Sequence, residues 1–286
     1  MCLKKKKQKA SLCFAIFIVS LIMWVLWGNT ALELNSYTVT SDRIPEEFNG
    51  FRIAQVSDLH NVEIGQDNKK LLSVINECEP DIIAITGDLI DSRDTDIETA
   101  LSFVGEAVKI APCYYVTGNH EARVTEYDEL KNGLIQLGVT VLDNKRIDIE
   151  KDGKSITLIG VDDPSFYTDY LFDSEEFALK IQLEGMKGDN ASYTVMLSHR
   201  PEMFDVYSEI GADLILSGHA HGGQIRMPFI GGIFAPHQGF FSEYDGGLYT
   251  EGASDMIVSR GVGNSLFPLR VNNRPEIVLI ELQSQI

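Results

Sequence analysis

The residue pattern predicts an α/β chain with a layered sheet core, preceded by one membrane-spanning helix. Three observations carry this. From residue 51 onward, short β-rich runs end in polar clusters, and helix-compatible stretches follow many of them. Several of these runs are continuously apolar, as strands buried on both faces are. The 286-residue chain also opens with lysines and a charge-free apolar run, the layout of a segment that crosses a bilayer.

Taken in order, Lys4, Lys5, Lys6, Lys7 and Lys9 precede an apolar run over residues 12–27. A helix needs roughly 20 apolar residues to cross a bilayer, and about 17 at the least. The lysines should stay cytoplasmic, which places the rest of the chain outside a cell membrane crossed once. Trp24 and Trp27 then sit at the outer interface. Gly28-Asn29-Thr30-Ala31-Leu32 offers a poor cleavage site, so an uncleaved anchor is favoured over a signal peptide. The organisation expected is a basic tail (1–11), an anchor (12–29), a spacer with an edge strand at 36–40 (30–50), and one catalytic domain (51–286). No Gly/Ser/Pro linker divides that domain. Strands are expected at 51–57, 81–86, 114–117, 156–161, 194–198, 214–217, 256–259 and 277–282. Helices are expected at 68–78, 96–110, 125–137 and 174–183.

Charge and cysteine narrow the function classes. The net charge is −18, but residues 1–29 hold five lysines and no acid. The remainder has 19 basic against 42 acidic residues, a balance of −23. Such a surface repels nucleic-acid backbones, so no nucleic-acid binding is expected. An anionic substrate is still admitted, because bound cations reverse the potential locally. Cysteine occurs at 2, 13, 78 and 113 with no CxxC pair, which gives no support to a thiolate metal site. Cys78 and Cys113 read as two unpaired interior residues unless the fold joins them.

The histidines point to the chemistry. Five of the six, His60, His120, His199, His219 and His221, end predicted strands. Each stands in a polar cluster: Asp58-Leu59-His60, Gly87-Asp88-Leu89-Ile90-Asp91, Gly118-Asn119-His120-Glu121, Ser198-His199-Arg200 and Gly218-His219-Ala220-His221. Loops at the carboxyl ends of strands converge in open α/β sheets. Imidazole, carboxylate and one amide, without sulfur, suit Mn, Fe or Zn. Strand alternation would put Asp58 and His60 on one side, and His219 with His221 likewise. A lone D-x-H is nearly uninformative, and a lone G-N-H is usually a turn. Five such clusters in this order are hard to obtain by accident.

The pattern D-x-H, G-D-x-x-D, G-N-H-[E/D], H and G-H-x-H resembles the calcineurin-like metallophosphoesterase superfamily. Gly218-His219-Ala220-His221-Gly222-Gly223-Gln224 and Ser259-Arg260-Gly261-Val262-Gly263-Asn264 resemble its bacterial membrane-associated YkuE/YaeI-like branch. The resemblance spans about residues 36–284. It implies a four-layer α/β/β/α sandwich, two facing sheets with helices outside. It implies two divalent metal ions, one on Asp58, His60 and His221, the other on Asn119, His199 and His219, with Asp88 bridging. It implies His120 as general acid, with Asp91 behind it, orienting it. A metal-bridging hydroxide would attack the phosphoester directly.

Arg226, Arg260 and Asn61 are weaker candidates for contacting a substrate phosphate. Structural arginines and a turn asparagine are the plainer readings. His237, in a Gly- and Pro-rich loop, reads as a surface residue, and the nearby phenylalanines as core packing. The substrate expected is a phosphorylated small molecule or a lipid-linked one. Two alternatives differ in class. One is a pyrophosphatase acting on a nucleotide-linked lipid of the UDP-diacylglucosamine type. The other is a non-catalytic metal-binding module, for which an intact His120 has no use.

Overall fold

The computed structural model describes residues 2–168, 174–186, 192–264 and 267–285. Side chains of residues 1–7 and 10, Cys2 and four of the lysines among them, lie outside that description. The chain begins with α1 (Cys2–Thr30), 29 residues or about 43 Å long at 1.5 Å per residue. Leu12, Phe14, Phe17, Ile22 and Trp27 are all more than half exposed, and the domain buries none of the window from Ser11 to Thr30. A helix apolar on every face over this window, with none of it buried by protein, suits a lipid environment.

The elements that follow are β1 (Glu33–Ser41), β2 (Phe51–Val56), α2 (Lys69–Glu77), β3 (Ile82–Thr86), α3 (Ile97–Ala107), β4 (Cys113–Val116), α4 (Tyr127–Gln136) and β5 (Thr140–Val141). Next come β6 (Lys145–Lys151), β7 (Lys154–Gly160), α5 (Ser165–Thr168), α6 (Glu175–Glu184), β8 (Thr194–Leu197), α7 (Phe204–Glu209) and β9 (Leu214–Ser217). Two small hairpins follow, β10 (Arg226–Met227) with β11 (Gly231–Gly232) and β12 (Phe234–Ala235) with β13 (Gly239–Phe240). The chain closes with β14 (Gly247–Glu251), β15 (Ser254–Val258) and β16 (Glu276–Ser284).

Two six-stranded sheets result, ordered β1-β16-β2-β3-β4-β5 and β14-β15-β9-β8-β7-β6. Strand alternation divides the buried side chains among three cores. On β2, Phe51 and Ile53 enter the core between the sheets, while Ala54 and Val56 join the core under α2, α3 and α4. On β9, Leu214 and Leu216 face between the sheets, and Ile215 packs toward α6 and α7. Helix, sheet, sheet, helix is therefore the layer order, the four-layer sandwich expected.

Differences from the expected elements sit at the sheet margins. β6 and β14 are edge strands with charged or polar alternation (KRIDIEK, GLYTE), which gives no buried-strand signal. β1 runs nine residues, in parallel register from Glu33↔Glu276 to Ser41↔Ser284. Cys78 and Cys113 are free and buried, and burial pushes the Cys113 thiol up to about 12.

Candidate metal centre

The carboxyl ends of β2, β3, β4, β8 and β9 meet where the two sheets come together. Asp58 N–H donates to Gly87 O at 3.0 Å, and Gln55 Nε2 donates across to Ser217 O at 2.9 Å. Gly87, at φ +88°, permits a further close approach: a Cβ there would lie 2.6 Å from His199 Nδ1. Alternation within strands is not what aligns the paired residues. Asp58, His60, Asp88, His219 and His221 lie past their strands at φ of 53°, 47°, 49°, 66° and 47°. Left-handed backbone costs non-glycine residues of order 1–2 kcal/mol each. Five such residues at one point mark a place where surrounding structure dictates side-chain direction.

The nitrogen and oxygen atoms converge in two groups that share Asp88: Asp58, His60, Asp88 and His221, and Asp88, His199 and His219. In the first, His60 Nε2 lies 3.1 Å from His221 Nε2. Asp58 Oδ1 is 3.2 Å from His221 Nε2, and Asp88 Oδ2 is 3.6 Å from His60 Nε2. In the second, Asp88 Oδ2 is 3.1 Å from His199 Nε2, and His219 Nδ1 is 3.2 Å from His199 Nε2.

Three observations test whether divalent ions fit. First, Asn119 Oδ1 is buried with no hydrogen-bond partner among the described residues, an unmet acceptor that normally costs about 1–3 kcal/mol. Secondly, His199 Nδ1–H donates to Thr86 O at 2.8 Å, which leaves the Nε2 lone pair facing the centre. Thirdly, Asp58 and Asp88 are almost fully buried, and buried carboxylates demand positive charge nearby. Burial raises the Asp58 pKa, yet His221 and His60 hold it down to about 2. Burial opposes charge on His199, but the neighbouring Asp88 and Asp58 carboxylates favour a positive charge at its Nε2, which a bound cation would supply. The donor set fits a pair of divalent cations.

Glu121 binds the ligand loops together. Its Oε2 accepts N–H from Asp88 (3.0 Å) and Gly118 (2.7 Å), and its Oε1 from Leu89 (2.8 Å) and Ile90 (3.2 Å). Burial and the Asp88 carboxylate push Glu121 up to about 7, against the pull of those donors.

His120 lines the cleft with Asn119, Arg123, His219, His221 and His237. Its Nδ1 accepts the Ser92 N–H at 2.9 Å, so the proton of the neutral ring is on Nε2. Asp91 Oδ1 stands 3.5 Å from the same Nδ1 and is engaged by Arg93. Arg226 and Arg260 are not at the cleft. Arg226 pairs with Asp245 at 3.2 Å, and Arg260 with Glu33 at 3.0 Å and Glu276 at 3.2 Å. Asn61 Nδ2 donates to Asp94 O, linking the loops after β2 and β3.

Sequence reasoning missed Ser92, Arg123 and His237. His237 Nδ1 lies 2.9 Å from His219 Nε2 and 2.9 Å from Arg200 Nη1. His237 is exposed, as expected of a surface residue, but its place beside His219 could not be read from a loop with no motif. Arg200 itself is fully buried and forms a two-point pair with Asp163.

A sequence model of calcineurin-like phosphoesterases matches residues 51–223. An uncharacterised metallophosphoesterase, YkuE of Bacillus subtilis, is 31% identical over 88% of this chain and 86% of its own. Phosphodiesterase YaeI of Escherichia coli is 29% identical over 81% of this chain and 82% of its own. A bovine transmembrane protein with a metallophosphoesterase domain is 28% identical, covering 98% of this chain and 64% of that protein. The crystal structure of TT1561 of Thermus thermophilus superposes with a TM-score of 0.52 at 14% identity, over 74% of this chain and 90% of that one, a likeness of fold.

Proposed function

This chain belongs to the calcineurin-like phosphoesterase family, and from that premise we propose a membrane-anchored enzyme that hydrolyses a phosphoester at a two-ion centre. The sharing of Asp88 between two ligand groups carries the reading. Asp58, His60 and His221 would hold one ion, Asn119, His199 and His219 the other, and Asp88 both. Bound there, paired divalent ions lower the pKa of a water and offset phosphoryl charge.

The remaining roles belong to side chains. His120 serves as general acid in its doubly protonated form, giving a ring proton to the leaving oxygen and returning to the neutral ring. Once the ring carries a second proton, Nδ1–H needs an acceptor. Ser92 Oγ at 3.1 Å and Asp91 Oδ1 at 3.5 Å stand in place for it. Asp91 then steadies the cationic ring, while Arg93 holds Asp91. Arg123 supplies positive charge to the wall that faces a substrate phosphate.

Metal analysis and hydrolysis of 4-nitrophenyl phosphate esters by the detergent-solubilised chain test this reading. Two Mn²⁺ per chain and Mn-dependent turnover are expected. His120→Ala should retain both ions and lose turnover by about 10²-fold or more. A chain that takes up no divalent ion would overturn the proposal.

A further inference from the structure

The metal centre uses the segment 225–241 only through Pro236 and His237, yet the rest of the segment is unusual. In so acidic a domain, residues 223–242 contain no acid and one arginine. Phe229, Ile230, Phe240 and Phe241 are each at least 60% exposed, so core packing does not explain them. Ile225, Ile233, Phe234, Pro236 and Phe240 line an apolar groove of about 250 Å³. Pro236 is also a wall of the catalytic cleft, and Gly223 of the groove follows the ligand His221 by two residues. A phosphorus atom held in the cleft therefore has an apolar trough beside it.

The groove also hangs from the segment that grips the anchor. Arg226 N–H donates to Val271 O at 3.0 Å, and Asn272 Nδ2 to Arg226 O at 3.3 Å. One residue before Val271, Arg270 exchanges two hydrogen bonds with Asn29 at the end of α1, at 2.9 and 2.8 Å. Arg274 Nε donates to Ala31 O at 2.8 Å, and its guanidinium lies 5.1 Å from the Trp27 ring centre. The groove is thus tied to the point where the helix leaves the bilayer.

We propose that this groove is an alkyl-chain subsite, so that the substrate is the phosphoester of an amphiphile. Its phosphate lies in the cleft, and its chain crosses Pro236 into the groove. The assignment rests on the phosphoesterase reading above. An open polar cleft alone would give no preference for apolar substituents, whereas each methylene buried in the groove should strengthen binding up to about fourfold.

The full chain in lipid nanodiscs with Mn²⁺ is assayed on methyl and hexyl 4-nitrophenyl phosphate. In both, water adds to phosphorus and 4-nitrophenolate departs with the bonding pair, so only the chain differs. The hexyl ester should exceed the methyl ester in kcat/KM by at least about tenfold, mainly through KM. Phe234→Ser with Phe240→Ser should bring the ratio toward one. Equal rates in the wild type, or an undiminished ratio in the double variant, would overturn the subsite. A readout independent of turnover is photolabelling by hexylphosphonate with a terminal diazirine. Label within residues 225–241, displaced by plain hexylphosphonate, is expected, and label confined elsewhere refutes the groove. If neither ester is cleaved but label lands there, the hydrolase reading fails and the subsite stands.

Discussion

Glu121 shows how one residue outside the ligand set decides where a ligand stands. Four backbone N–H groups from two loops end on its two oxygens, and one of them belongs to Asp88. Glu121→Gln would turn an NH₂ toward two of those donors and displace the loop. Mn²⁺ affinity should fall about 10–100-fold, the usual cost of losing a partner that orients ligands, with circular dichroism unchanged. Equilibrium dialysis giving wild-type affinity would count against this. Asp162 carries a different lesson. Burial first, then Asp143, pushes its carboxyl up to about 7. The folded chain thus binds this proton more tightly than the unfolded one, so this group's contribution to stability is full below pH 4 and is lost as pH rises toward 7. The loss amounts to about 4 kcal/mol at most. Asp162→Asn removes the titration and should gain on wild type across that window in urea unfolding. Parallel pH profiles would disprove it.

Among elements, β1 and β16 hold the longest-range strand pairing among the described residues. Residues some 240 apart in sequence match over nine positions, and β16 continues antiparallel onto β2. A hydrophobic pattern cannot announce such a partner, because register across that separation is fixed only by the assembled sheet. We predict that the folding unit begins at β1. A chain starting at residue 31 should be monodisperse and load metal. One starting at residue 42 leaves β16 as a bare edge and should aggregate on size exclusion. A well-behaved shorter chain would show that β1 is dispensable. The margins were the least legible parts for a related reason: β6 and β14 bury little, so their sequences carry no core signal.

For the whole molecule, we predict that the lysine-led apolar helix anchors the chain in a membrane with its catalytic domain outside the cytoplasm. Asn76→Cys, on the exposed face of α2, should react with an impermeant maleimide on intact cells. Reaction only after lysis would reverse the orientation. The strand-end clusters and the layered α/β class were readable from the sequence alone. Continuous apolar runs and histidines at their ends are local patterns, and local patterns survive in one dimension. What tertiary structure decided is which groups meet. It tied Arg226 and Arg260 to Asp245, Glu33 and Glu276 and so kept them from the cleft. It also brought His237 to His219 and the apolar loop beside the metal centre. A side chain's partner depends on distance in space, and sequence separation carries almost no information about that until the sheets have packed.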